Sequence, residues 1–263
     1  PPPPPPPPPP FFFSTHTPPP PMLRSLVGSE MCIRDRAYIK SNIVGHLNML
    51  EICRNYEIKN IVYASSSSVY GGNTKVPFSI SDRVDTPVSL YAATKRSDEL
   101  MSYTYNHLYG INTIGLRFFT VYGPWGRPDM ATWIFTKKII NEEPIEVFNN
   151  GNMERDFTYI DDIINGTISI LDSCKDDSNE SFSKVYNIGN NKPENLLNFI
   201  SLIEENLGKK AIKIMKPIQK GDVPNTYADI KDIQADYNFT PKTKLAEGIP
   251  KFIEWFKSYH NLN

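Results

Sequence analysis

The chain has 263 residues, a net charge of −1, 40% hydrophobic and 12% aromatic residues, a composition typical of a globular protein with a sizeable core. The sequence has neither a basic stripe nor an acidic tail, so its charge pattern does not indicate nucleic-acid binding or an electrostatically held membrane surface. No run approaches the ~20 apolar residues that a membrane-spanning helix needs.

Cysteine and histidine residues are few and scattered. There are three cysteines, without CxxC spacing, and four histidines. This pattern predicts neither a disulfide framework nor a metal site. It is typical of a protein in a reducing, cytoplasmic compartment.

The first 36 residues differ from the rest of the chain. Ten consecutive prolines are followed by FFFSTHTPPPP, which has no helix or strand periodicity and would at most form polyproline II. The sequence MCIRDR at Met31–Arg36 resembles the conceptual translation of a transposon end used in sequencing libraries. We interpret residues 1–36 as a non-native, disordered leader, with a genuine proline-rich interaction tail as the alternative.

The central stretch joins a helix, a strand, a polar loop and a second helix. Apolar residues at three- and four-residue spacing predict a helix over Tyr38–Tyr56. The run Ile61–Ala64 is typical of a buried strand, and it ends in four hydroxyl residues, Ser65–Ser68. Open α/β sheets bind ligands at the carboxyl ends of their strands. In the helix predicted next, Leu90–Tyr105, Tyr91 and Lys95 lie at i and i+4 and share one face.

A tyrosine and a lysine one helical turn apart can act in general-base catalysis. A free tyrosine has a pKa of about 10, and lowering it by three units takes about 4 kcal/mol, which a nearby ammonium and an oxidised nicotinamide could supply. The phenolate would remove a proton from a substrate hydroxyl while a serine shares that hydrogen bond. The Tyr-x-x-x-Lys spacing alone is weak evidence for catalysis, because Tyr227 and Lys231 repeat it without a preceding strand that ends in hydroxyl residues. The whole combination predicts hydride transfer from an alcohol carbon to a nicotinamide.

The sequences ASSSSVYG and SLYAATK resemble the extended short-chain dehydrogenase/reductase family, in its sugar-nucleotide epimerase and dehydratase branch. The resemblance runs from about Ala37 to the C-terminus and implies NAD as cofactor and a UDP-sugar as substrate. The implied site residues are Ser66, Tyr91 and Lys95 for catalysis, Ser67, Ser68, Thr120, Arg127, Arg155 and Asp222 for substrate binding, and Asn42, Tyr91, Lys95 and Phe118 for NAD binding.

Downstream motifs explain the substrate-binding residues among these. The run Thr113–Phe119 predicts a strand that ends at the same sheet edge as Ser66. The Gly- and Pro-rich sequence GPWGRPDM predicts a stiff loop that holds Arg127 in place, and an arginine on such a loop suits bidentate capture of a carboxylate or phosphate. By resemblance to the branch acting on UDP-glucuronate, Arg127 and Thr120 meet the sugar carboxylate.

Two further segments resemble nucleotide-binding parts of the family. In RDFTYIDD, Arg155 matches an arginine placed on the diphosphate; an Arg–Asp pair in a turn is the alternative. In QKGDVP, Asp222 matches an aspartate near the uridine ribose, whereas Gln219 replaces an arginine of many relatives. The other predicted elements are helices over Ala131–Asn141, Ile163–Leu171, Leu196–Leu207, Ile230–Tyr237 and Leu245–Tyr259, and strands over Ile145–Phe148, Val185–Gly189 and Ile212–Met215.

The glycine-rich turn that holds the dinucleotide pyrophosphate in such families, GxxGxxG or GxGxxG, does not occur. We interpret the chain as N-terminally truncated. The predicted fold class is α/β, a partial Rossmann-like doubly wound parallel sheet without its first strands, plus a smaller α+β substrate domain. The predicted domains are NAD-binding (37–121 and 159–190) and sugar-nucleotide-binding (122–158 and 191–263).

The expected function is NAD-dependent 4-epimerisation of UDP-glucuronate to UDP-galacturonate. One alternative is an epimerase acting on UDP-glucose or UDP-N-acetylglucosamine, for which Arg127 has no anion to meet. A dehydratase is less suited, because Ser67 and Ser68 stand where that chemistry commonly uses Asp-Glu. An inactive fragment that only binds a sugar nucleotide is the third alternative. The resemblance also implies that the full-length protein forms a homodimer through the Tyr91 helix and its neighbour.

Overall fold

The computed structural model describes residues 35–174, 181–218 and 223–262. The helices are α1 (Asp35–Tyr38), a π-helix (Ile39–Val44), α2 (Gly45–Asn55), α3 (Leu90–Tyr109), α4 (Ala131–Ile140), α5 (Ile160–Ser173), α6 (Leu196–Leu207), α7 (Lys231–Tyr237) and α8 (Leu245–Tyr259). The strands are β1 (Asn60–Ser66), β2 (Asn112–Phe118), β3 (Thr120–Tyr122), β4 (Ile145–Val147), β5 (Glu154–Tyr159), β6 (Ser183–Ile188), β7 (Pro193–Asn195), β8 (Lys213–Met215) and β9 (Asn225–Thr226). The predicted α/β class with parallel strands is confirmed.

The first sheet is parallel and has the strand order β1-β2-β6. Its register pairs Ser66 with Phe118 and Phe118 with Ile188, so the three strands end together. Ile114 and Tyr186 belong to the buried cluster on this sheet, where β-branched and aromatic side chains fit the pleated surface. The prediction that β2 ends at the same edge as Ser66 is confirmed.

Shorter strands form the second part of the fold. β5 lies between β3 and β7, parallel to β3 and antiparallel to β7, and β9 also pairs with β5. β4 and β8 form a separate parallel pair. A second buried cluster includes Phe157 and Phe199, whose rings stack with centroids 4.4 Å apart. Helix α8 contributes Ile249, Phe252 and Phe256, which lie on one face at helical spacing. The domain boundaries given above stay a prediction.

The helix predicted over Tyr38–Tyr56 is not a regular α-helix. Within the described residues it starts at Asp35, inside the segment assigned to the leader, and Ile39–Val44 is π-helical. The N–H of Gly45 donates to the carbonyl of Lys40, five residues back. The predicted helix is confirmed, but apolar spacing cannot distinguish one π-helical segment inside a longer α-helical pattern, so the π-helical segment was not predicted.

Other boundaries differ by a few residues. Helices α6 and α8 have the predicted limits, whereas α5 begins at Ile160, three residues before the predicted start. Strands β3, β5, β7 and β9 were not predicted. Among the described residues, none of the helices is long and apolar enough to cross a membrane, and no group of three or more His, Cys, Asp or Glu side chains is arranged to hold a metal ion.

Candidate active site

Hydroxyl groups line the carboxyl end of β1. Ser66 Oγ accepts a hydrogen bond from the N–H of Ser68 at 3.2 Å and donates to Ser68 Oγ at 3.1 Å, which caps the 3-10 turn that follows the strand. Ser66 is buried, while Ser67 and Ser68 are half-buried. Because side chains alternate across a strand, Ser65 points the other way and donates to Glu99 Oε1 at 2.7 Å.

Helix α3 positions Tyr91 in its first turn. Ser89 Oγ accepts a hydrogen bond from the N–H of Ala92 at 3.1 Å and caps the helix. The phenol of Tyr91 is half-buried, and its ring packs against that of Tyr38 with centroids 5.0 Å apart. Tyr38 was missed as a site residue, because no local motif links it to Tyr91.

Lys95 connects α3 to the end of β1. Its ammonium donates to the carbonyl of Ala64 at 2.9 Å and to Asp98 Oδ2 at 3.1 Å. Ala64 lies two residues before Ser66. Lys95 therefore ties the first turns of α3, which carry Tyr91, to the strand that ends at Ser66.

Asn42, predicted to contact the cofactor, lies in the π-helix. Its Nδ2 donates to Thr94 Oγ1 at 2.9 Å, and Thr94 Oγ1 donates to the carbonyl of Tyr91 at 2.8 Å. Irregular π-turns occur frequently at functional sites. Here the π-turn connects Asn42 to the turn of α3 that carries Tyr91.

Two titratable groups, the buried Asp98 and the half-buried His46, lie close enough to Lys95 to interact with its charge. Asp98 is 1% exposed; burial raises its pKa to about 6 although Lys95 opposes the shift, and its Oδ1 has no hydrogen-bond partner within the described part of the chain. His46, in α2, is hydrogen-bonded to Ser102 Oγ at 2.8 Å. Burial and the charge of Lys95 lower the pKa of His46 to about 4. These groups were not predicted as part of the site, because only tertiary contacts bring them together.

Acidification should change the contributions of His46 and Asp98 to the free energy of unfolding in opposite directions. Relative to its ordinary pKa of 6.5, His46 binds fewer protons when folded, so it lowers the free energy of unfolding as the pH falls from 6.5 to about 4. Relative to its ordinary pKa of 3.8, Asp98 binds more protons when folded, so it raises the free energy of unfolding as the pH falls from about 6 to 3.8. One proton corresponds to about 1.4 kcal/mol per pH unit, so the two contributions nearly cancel between pH 4 and 6.

Two variants separate these contributions. Relative to wild type, His46→Gln should gain stability and Asp98→Asn should lose it when the pH falls from 6 to 4, as measured by urea unfolding at pH 6, 5 and 4. Each variant is the control for the other. If the free energy of unfolding changed with pH in the same way in both variants and the wild type, the opposite pKa shifts assigned to His46 and Asp98 would be contradicted.

A buried ion pair joins α3 to β2. Arg117 Nε and Nη2 donate to Glu99 Oε1 and Oε2 at 2.8 and 2.9 Å, and both side chains are 2% exposed. Arg117 also donates to Tyr70 Oη at 3.0 Å, and Tyr70 Oη donates to Asn187 at 2.6 Å in β6. With the hydrogen bond from Ser65, this network fixes α3 against all three strands of the first sheet.

Phe118 and Thr120 follow the same edge. Phe118 ends β2 opposite Ser66, and its half-buried side chain packs against the first-sheet cluster. Thr120 begins β3, where it pairs with Phe157 of β5, and is half-buried. Both residues therefore keep part of their surface accessible near the end of β1.

The loop after β3 begins with a strained turn. The N–H of Gly126 donates to the carbonyl of Gly123 at 3.1 Å, and Pro124 occupies the second position, where its φ is suitable. Trp125 occupies the third position with a φ of 62°, which costs a non-glycine residue about 1–2 kcal/mol. Its ring, 77% exposed, packs against Trp255 at 5.4 Å between centroids, a contact that helps to offset the strain.

Arg127 follows this turn and already has a carboxylate partner. Its Nε and Nη2 donate to Asp129 Oδ1 and Oδ2 at 3.0 and 2.5 Å. These hydrogen bonds raise the pKa of Arg127, with smaller contributions from the phenols of Tyr38 and Tyr91. The guanidinium therefore lies within electrostatic range of Tyr91.

Arg155 and Asp156 lie in β5. Arg155 is half-buried, and its Nη1 donates to the carbonyls of Glu154 and Pro224 at 3.0 and 2.8 Å. Asp156 is fully buried and accepts from the backbone N–H groups of Asn190, Asn191 and Ala228. This buried carboxylate fixes the strand that presents Arg155.

Asp222, the remaining predicted substrate residue, lies outside the described residues, as does Gln219. Pro224, two residues after Asp222, is within the described residues, and its carbonyl accepts a hydrogen bond from Arg155. The placement of Asp222 therefore stays a prediction.

The end of β1 fits the nicotinamide half of NAD. Ala64 is exposed although it lies within the strand, and hydrogen bonds use two of the three N–H groups of Lys95. An ammonium and the amide of Asn42 suit ribose and carboxamide oxygens, and the ring of Phe118 suits the face of a nicotinamide. No glycine-rich turn for the pyrophosphate occurs in the described ranges.

Comparison with known proteins places these features in a family. The model of the NAD dependent epimerase/dehydratase family matches residues 28–189. Protein CapI of Staphylococcus aureus is 52% identical over 237 residues, which are 86% of this chain and 71% of CapI. UDP-glucuronate 4-epimerase 2 of Arabidopsis thaliana is 46% identical over 236 residues. That alignment covers 85% of this chain but only 54% of the plant protein, so the chain spans about half of that relative.

A solved structure shows the same fold. The UDP-glucuronic acid 4-epimerase of Bacillus cereus, in complex with UDP-glucuronic acid and NAD, matches with a TM-score of 0.78 and 32% identity. The match covers 91% of this chain and 73% of that one. The predicted family, enzyme class and cofactor NAD are thereby confirmed. The chain therefore belongs to the NAD dependent epimerase/dehydratase family.

Proposed function

We propose that this protein catalyses the NAD-dependent 4-epimerisation of a UDP-hexuronic acid, interconverting UDP-glucuronate and UDP-galacturonate. The observation that carries the proposal is the proximity of an anion-binding group to the general base: the Arg127 guanidinium lies within electrostatic range of Tyr91, and Lys95 reaches the carbonyl of Ala64. The names of the plant and Bacillus relatives support the same substrate.

In the proposed reaction, Tyr91 removes the proton of the sugar 4-hydroxyl. Lys95, one helical turn away, stabilises the phenolate by its charge, and Ser66 shares the hydrogen bond of the reacting hydroxyl. NAD, held by residues of this edge, would supply the acceptor for the C4 hydride and the donor that returns it to the opposite face of the sugar. Ser67 and Ser68 lie next to the sugar while the 4-keto group turns in the pocket, and Tyr91 finally returns the proton.

The other proposed roles concern binding. Asn42 and Phe118, with Lys95, hold the nicotinamide riboside, and Arg155 binds the substrate diphosphate. Arg127 and Thr120 hold the sugar carboxylate. A 4-keto hexuronate is a β-keto acid, which loses CO2 readily, so a firmly held carboxylate also protects the intermediate from decarboxylation.

A neutral UDP-hexose is the second candidate substrate. The observation that favours it is the pairing of Arg127 with Asp129, since an arginine that already has a carboxylate partner is not obliged to bind another. In that case replacement of Arg127 should spare activity.

The decisive experiment compares substrates and one arginine variant. The chain is supplied with NAD and either UDP-glucuronate or UDP-glucose, and epimeric products are separated by chromatography. We expect UDP-galacturonate from the wild type, and Arg127→Gln should lower kcat/KM for UDP-glucuronate by roughly 30-fold, which corresponds to about 2 kcal/mol of a charged hydrogen-bonded contact.

Arg83→Gln is the matched control, because Arg83 also pairs with an aspartate two residues on, Asp85. It should leave turnover unchanged. Equal activity of Arg127→Gln and wild type on UDP-glucuronate would refute the proposal. Binding without turnover would leave only a sugar-nucleotide-binding fragment.

A homodimer is part of the proposal. Helix α3 exposes Leu100 and Tyr103 by 53% and 63%, and Val44 and Leu47 beside it are 48% and 38% exposed. Apolar side chains of this extent on adjacent helices support pairing with a second copy. We also retain the cytoplasmic location and the two-domain division as proposals.

A further inference from the structure

Arg127 and Asp129 form a bidentate ion pair that uses only one side of the guanidinium, and we call this pair the clamp. A guanidinium has five N–H donors arranged along two bidentate edges. Asp129 accepts from Nε and Nη2, which form one of these edges. The second edge, Nη1 and the other Nη2 hydrogen, makes no hydrogen bond to the described part of the chain.

The two side chains differ in exposure. Arg127 is 58% exposed, whereas Asp129 is only 17% exposed. The aspartate therefore lies on the protein side of the guanidinium, and the second edge is turned towards solvent. The charge of Arg127 as a whole also interacts with the phenol of Tyr91, the proposed general base.

The loop backbone holds the pair in this geometry. The N–H of Met130 donates to the carbonyl of Arg127 at 3.1 Å and closes a turn, and Pro128 restricts the backbone between the two partners. The pair Arg83 and Asp85 has the same sequence spacing but makes a single contact at 2.7 Å, with side chains 85% and 50% exposed. Spacing alone therefore does not create the clamp.

We propose that Asp129 is a positioning residue that sets the plane of the Arg127 guanidinium, so that the outer edge receives the carboxylate of a UDP-hexuronate. The inference rests on the proposed function and adds a residue that determines its substrate specificity. Because the two carboxylates use different edges, the substrate binds without displacing Asp129. A guanidinium held in one plane also loses less rotational freedom when the substrate binds.

The test uses Asp129→Asn, which keeps the size of the side chain but leaves a single oxygen acceptor, so that Nε and Nη2 cannot both be held. Affinities of the chain for UDP-glucuronate and UDP-glucose are measured by calorimetry, together with KM and kcat. We expect Kd and KM for UDP-glucuronate to rise about tenfold. Affinity for UDP-glucose and the saturating kcat should stay within about twofold, as should every value for the control Asp85→Asn.

Three results of this test overturn the inference. An equal loss for both nucleotides would mean that the loop is merely damaged. Tighter binding of UDP-glucuronate would mean that Asp129 competes with the substrate, and unchanged binding would mean that the clamp has no role. A wild-type chain that does not prefer UDP-glucuronate to UDP-glucose would overturn the proposed function first, and this is visible without any variant.

Discussion

Tyr91→Phe should lower the kcat of epimerisation by about 10³-fold, within the usual contribution of a general base. The variant keeps the ring that packs against Tyr38 and loses only the oxygen that exchanges a proton with the substrate. The affinity for the sugar nucleotide should therefore change little. The measurement is single-turnover product formation at saturating substrate, with calorimetric binding alongside.

Tyr227→Phe is the matched control. Tyr227 and Lys231 repeat the spacing of Tyr91 and Lys95, but Lys231 is exposed and pairs with Asp229 at 3.7 Å. The control should retain full activity. Comparable rates for Tyr91→Phe and Tyr227→Phe would show that the tyrosine of α3 is not the base.

Glu99→Gln should destabilise the fold by about 3–5 kcal/mol, the usual cost of removing one partner from a buried ion pair. Burial alone would raise the pKa of Glu99, but hydrogen bonds from Arg117, Ser65 and Arg96 hold it below its ordinary value. An amide offers one acceptor oxygen in place of two, so the buried guanidinium of Arg117 loses its counter-charge and one hydrogen bond. Urea unfolding at pH 7 measures the loss.

A double variant distinguishes the lost charge from lost packing. Glu99→Gln combined with Arg117→Met removes both charges, and it should recover much of the lost stability because replacing a buried pair by apolar groups is often close to neutral. Arg96→Gln removes a partly exposed partner of Glu99 and should cost less than 1 kcal/mol, roughly the value of a surface pair. If the double variant were as unstable as Glu99→Gln, the unpaired charge would not be the cause.

The sequence by itself determined the elements that depend on local signals. Periodic apolar residues placed α6 and α8 at their observed limits, because side chains repeat along a helix every 3.6 residues. The β-branched run before Ser65 and the helical spacing of Tyr91 and Lys95 predicted the strand and helix that form the candidate site. The four hydroxyls also indicated which end of the strand mattered, since parallel strands present ligands at their carboxyl ends.

Only the tertiary structure decided features that depend on distant partners. β3 is three residues long and β9 two, so neither has a periodicity of its own, and both exist because β5 pairs with them. The π-turn at Asn42 is likewise absent from the apolar pattern. Its hydrogen bond to Thr94 spans 52 positions of sequence.

The electrostatics of the site also depended on tertiary structure. Glu99 and Arg117 lie in different elements, so their ion pair follows from packing α3 on the sheet. His46 and Asp98 also lie in different elements, and their desolvation follows from packing α3 on α2. Desolvation is the largest cause of the pKa shifts of both His46 and Asp98, and desolvation is a property of the folded surroundings rather than of the residue. The sequence therefore named the groups that we propose to react, whereas packing determined the pKa shifts of His46 and Asp98 beside them.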